Sequence, residues 1–157
     1  MPIELPVVLI EQEEAWRAVF EIYSNRPHGW IMVGGQSVYL HAIERGAPFI
    51  RPTKDADVDV VVGEMFGKVN RTNLLGCLIG KAAALKIVDD PGKERHVTDF
   101  LTLAAVVGAS DLRDIVYGPA ERSHLAHMLG HLAVSPELVS LVPEGAPGLE
   151  RLRMSLS

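Results

Sequence analysis

Apolar and polar positions along the chain switch between a helical and a strand period, and the switches outline the expected elements. Between Glu11 and Tyr23 the residues Ala15, Trp16, Val19, Phe20 and Tyr23 recur at helical spacing, with acidic residues in the first turn where they favour the helix dipole. That pattern predicts an amphipathic helix. The segment Asn25-Arg26-Pro27-His28-Gly29 has the composition of a turn, and the short apolar run Trp30 to Val33 predicts a buried strand. Gly34-Gly35 stops the run. A helical pattern (Ser37, Leu40, Ala42, Ile43) begins at once and ends at Gly46. A second strand is expected where Asp55, Asp57 and Asp59 alternate with Ala56, Val58, Val60 and Val62.

After Gly63 the pattern predicts a helix from about 71 to 85, whose Gly76 and Gly80 suggest close packing. A short strand at Lys86-Ile87-Val88, a turn at Asp89-Asp90-Pro91-Gly92 and a long strand from His96 to Val107 are expected next. Helices are predicted over 122–134, 136–142 and 149–156. Together these elements predict an α/β (α+β) fold, a small mixed β-sheet flanked by helices. The length of 157 residues suits a single domain, 1–157, with a short helical C-terminal portion from about 109.

Composition narrows the classes of function. A net charge of −5 argues against a broad basic surface for nucleic acid. The single cysteine, Cys77, reads as plain core; it excludes an intrachain disulfide and fits a reducing compartment. No apolar run approaches the roughly 20 residues of a membrane span. The N-terminal stretch lacks the basic start and long apolar core of a signal peptide, so a cytoplasmic location is expected.

Candidate chemistry concentrates between Trp30 and Val62. Strand side chains alternate faces, so Asp55, Asp57 and Asp59 share one face and the small apolar residues the other. Aspartate is depleted in strands, and crowded carboxylates repel unless something positive lies among them; a divalent cation answers that. An ordinary half-exposed strand with its acidic face in water is the plainer account. Gly34 and Gly35 lack Cβ atoms, so their backbone N–H groups can approach a phosphate, and the following helix adds its positive end. Ser37 can donate its hydroxyl to the same anion, or serve as a helix cap. Arg51 and Lys54 flank the acidic strand and can contact phosphates, or be solvated charges.

The residues Gly34-Gly35-x-Ser37 followed by Thr53-x-Asp55-x-Asp57 resemble the signature of the nucleotidyltransferase superfamily that includes DNA polymerase beta. The flavour is that of minimal bacterial nucleotidyltransferases and abortive-infection toxins. The resemblance covers Trp30 to Val62, and the region around Asp99 more loosely. It implies a magnesium-dependent enzyme that moves a nucleoside monophosphate from a nucleoside triphosphate to an acceptor hydroxyl of RNA, protein or a small molecule. It implies triphosphate binding by Gly34, Gly35 and Ser37 at the glycine turn and helix start. It implies Mg2+ on Asp55 and Asp57, and a third carboxylate from a later strand, for which Asp99 is chosen; Asp59 is the reserve ligand. An antitoxin or a second copy of the chain would be the partner. The competing expectation is a catalytically silent nucleotidyltransferase-like binding or assembly module, since the helical part after Val107 is short for an acceptor-binding domain. Separately, His124, His127 and His131 stack on one helix face, which suits zinc or nickel, or simply a polar surface.

Overall fold

The computed structural model describes residues 2–5, 10–31, 34–46, 60–62, 64–69 and 71–157. Asp55, Asp57, Asp59, Arg51 and Lys54 lie outside the described residues. The chain divides into two compact units, Met1–Asn73 and Leu74–Ser157. The helical second unit therefore starts near residue 74 rather than near 109.

The expected α/β architecture is corrected by the structure: helix takes up 65% of it and strand 5%. The strands form a patch in the first unit, made of β1 (Ile3–Glu4), β2 (Val60–Val62) and β3 (Met65–Gly67). β2 lies in the middle, parallel to β1 (Ile3 opposite Val60) and antiparallel to β3 (Val62 opposite Met65). Runs of two and three residues cannot bury a face by themselves, so helices supply the cover. The first unit contains α1 (Ile10–Asn25) and α2 (Gly35–Glu44). Ile3, Trp16, Leu40, Val62 and Val69 form its buried centre, with Val19, Phe20, Trp30, Ile43 and Met65 packed against it. The stripe read from α1 is therefore the buried one. Its Phe20 ring covers β3 so closely that a Cβ on Gly67 would lie 2.1 Å from the ring. Trp30 and Ile31, expected to open a strand, are in none.

The second unit is built from α3 (Leu74–Ala84), α4 (Lys93–Val106), α5 (Pro119–Ala133), α6 (Pro136–Val139) and α7 (Ala146–Ser155). α3 packs on α4 and α5, and α4 on α7. Two strand expectations fail here. Residues 86–88 continue a turn in which the N–H groups of Lys86 and Ile87 bond back to the carbonyls of Ala83 and Ala84. The segment His96 to Val107 is mostly α4. Its β-branched residues suggest a strand, yet Val97 and every residue from Asp99 to Ala104 are buried, a continuous run that periodicity alone cannot assign. Local signals at its start favour the helix: Gly92 precedes it, Glu94 lies in its first turn, and an Asp90 carboxylate oxygen accepts the Gly92 N–H at 2.7 Å. The Thr98 and Thr102 hydroxyls donate to carbonyls four residues back, so the buried Thr102 hydroxyl has an acceptor.

α7 crosses α4 at very short range. A Cβ built on Gly148 would stand 1.8 Å from the Ala104 carbonyl oxygen, so only glycine fits there. α5 begins three residues before the expected 122, with Pro119 in its first turn and the Glu121 carboxylate accepting the Gly118 N–H at 2.7 Å.

Candidate functional site

Gly34 is the residue before α2, with φ 142° and ψ −165°. That region of backbone space is essentially restricted to glycine. The special backbone demand therefore falls on Gly34, while Gly35 is the first helical residue. Ser37 is inside the first turn, so the cap position belongs to Gly34. Gly35, Gln36 and Ser37 are all buried. The first four N–H groups of such a helix have no partner within it, and they give its entrance a positive character. α2 ends as its sequence suggests: Gly46 has φ 70° and its N–H bonds to the Ile43 carbonyl at 3.1 Å.

One turn further along α2, a polar cluster appears that the apolar stripe did not reveal. His41 is 3% exposed, and its Nε2 lies 3.1 Å from the Thr72 carbonyl. A carbonyl only accepts, so Nε2 carries the proton and Nδ1 presents a lone pair. Arg71 Nη2 is 2.8 Å from Glu44 Oε2, and His41 Nδ1 is 3.9 Å from the same oxygen. This cluster joins α2 to the segment that follows β3. The only sequence signal for it is a histidine amid Leu40, Ala42 and Ile43, at a position that must face inward. Burial, and then the positive charge of Arg71, push the His41 pKa down to about 4.

The unfolded chain protonates His41 near its ordinary pKa of about 6.5, whereas the folded chain resists until about 4. The unfolded state thus binds more protons between these values. The contribution of neutral His41 is complete above about 6.5 and is lost as pH falls toward 4. We expect the parent to lose on the order of 2 kcal/mol more than His41→Asn over this window, allowing for solvent screening. Urea midpoints at pH 7 and pH 4.5 measure it; identical pH dependence in both proteins would contradict a buried neutral imidazole.

The expected third carboxylate belongs to a different setting. Asp99 lies on a helix, not a strand, and in the second unit. Its Oδ2 is 2.7 Å from Lys81 Nζ on α3, with both side chains largely buried. This pair ties α3 to α4 and accounts for a charged residue among Phe100, Leu101 and Leu103 without a metal. No local sequence signal marks Lys81, because eighteen residues separate it from its partner.

His124, His127 and His131 do fall on one helix, α5. Among the described residues no group of three or more His, Cys, Asp or Glu side chains is placed to hold a metal ion. No helix among the described residues is long and apolar enough to cross a membrane. No protein-family model, curated protein or solved structure matches the chain.

Proposed function

We propose that the chain is a magnesium-dependent nucleotidyltransferase whose triphosphate site is the entrance of α2. The observation that carries this reading is Gly34: its glycine-only backbone conformation stands at the head of a ten-residue helix. The acid pair Asp55-x-Asp57 follows about twenty residues later in the sequence. In this reading the backbone N–H groups from Gly34 to Ser37 receive the phosphates, and the Ser37 hydroxyl donates to them. Asp55 and Asp57 hold the cation, since hard carboxylate oxygens suit magnesium, and Asp59 is the reserve ligand. Magnesium there would neutralise the triphosphate and lower the pKa of the attacking hydroxyl. Asp99 is left out of this set because Lys81 engages it. Arg51 and Lys54 are the flanking cations. The acceptor is a hydroxyl of RNA, protein or a small molecule, and the lone Cys77 suits work in a reducing compartment.

Titration of a non-hydrolysable triphosphate with magnesium tests the site. The parent should bind. Gly34→Ala and Gly35→Val should weaken binding severely, the first by straining the backbone and the second by placing a side chain over the amides. Ser37→Ala should cost roughly 1.5–3 kcal/mol, the worth of a hydrogen bond to a charged group, or about ten- to a hundred-fold in affinity. A folded parent that binds no triphosphate would leave the silent binding module as the better description.

A further inference from the structure

We propose that His127 and His131 on α5 form a two-nitrogen site for a transition-metal ion of borderline softness, copper(II) before nickel(II) or zinc(II). The site is independent of the transferase reading. α5 runs unbroken from Pro119 to Ala133, so residues four apart lie one above the other on its surface. The rotation of the helix is set by its apolar side: Leu125, Met128, Leu129 and Leu132 are buried. That leaves His127 exposed and His131 half-buried, on the flank between core and solvent. Neither imidazole has a hydrogen-bond or ion-pair partner among the described residues. A pair of histidines at this spacing is the arrangement by which helices present two nitrogens to one metal ion.

Access and charge agree with this. Gly130, between the two histidines, has open space where a Cβ would be, so the nearby helix surface is unobstructed. His131 is in the last turn of α5, where the negative end of the helix dipole favours a cation. The only lysine or arginine on α5 is Arg122, in the first turn, remote from the pair. His124 stands apart. It is half-buried with Nδ1 sealed and unpartnered, and the three histidines do not converge as a set. Imidazole nitrogen suits copper, nickel and zinc, and affinity at such donors peaks at copper(II). Two protein ligands leave the remaining coordination positions to water.

Copper(II) titrated into the full chain, with magnesium in excess to occupy carboxylate sites, tests the proposal. Electron paramagnetic resonance should show nitrogen hyperfine structure from bound copper. His127→Ala and His131→Ala should each weaken that binding at least tenfold, while His124→Ala should leave it unchanged. His127 is exposed, so His127→Ala retains the fold, which circular dichroism can verify. Absence of nitrogen-bound copper in the parent would overturn the assignment. So would undiminished binding in His127→Ala, or equal loss in His124→Ala.

Discussion

Asp57→Ala is expected to abolish transfer of label from a triphosphate to its acceptor while leaving the protein folded. Phosphoryl-type transfer that loses its cation loses several orders of magnitude in rate, because nothing else neutralises the triphosphate and steadies the leaving pyrophosphate. In the absence of metal, removing one of three carboxylates spaced two residues apart in the sequence relieves like-charge repulsion, so stability should change little or rise. Incubation with each labelled triphosphate, magnesium and total RNA, followed by counting label in macromolecules, is the measurement. Transfer at the parental rate by the variant would remove Asp57 from the cation site, and no transfer by the parent would end the transferase reading. Asp99→Asn supplies the contrast. With Asp99 outside the site, its folded fraction should keep the parental rate and its defect should appear in stability.

Lys81→Met is expected to destabilise the second unit by about 3–5 kcal/mol, the usual cost of removing one member of a buried ion pair. The Lys81 and Asp99 side chains are only 11% and 5% exposed, so the carboxylate left behind cannot exchange its ammonium partner for bulk water. The same reasoning predicts recovery. The double variant Lys81→Met/Asp99→Leu, which removes both charges, should regain most of the loss, because apolar replacement of a whole buried pair is often neutral. A double-mutant cycle in urea, followed by circular dichroism, reads both outcomes. Equal stability of Lys81→Met and the parent would mean that the pair does not hold α3 to α4.

Some of this architecture is legible directly in the chain. The helix α2 is bracketed by its own residues: Gly34 and Gly35 at one end and Gly46 at the other carry signals that act within a few residues. The stripe Trp16, Val19, Phe20 on α1 likewise announces its buried side, because that helix has one wet face and one dry one. Pro119 with Glu121 is a start signal of the same local kind for α5, three residues before the expected 122. Where burial surrounds a segment, the period vanishes. α4 is buried at seven positions, and its valines and threonines imitate a strand until α3 and α7 are seen to enclose it. Tertiary structure alone decides the partners of the charges: Lys81 meets Asp99 across two helices, and His41 meets Thr72 and Arg71 across about thirty residues. Local sequence sets where helices start and stop because caps, glycines and prolines act over one turn. Which buried charge is neutralised, and by whom, depends on elements that become neighbours only when the apolar faces have packed.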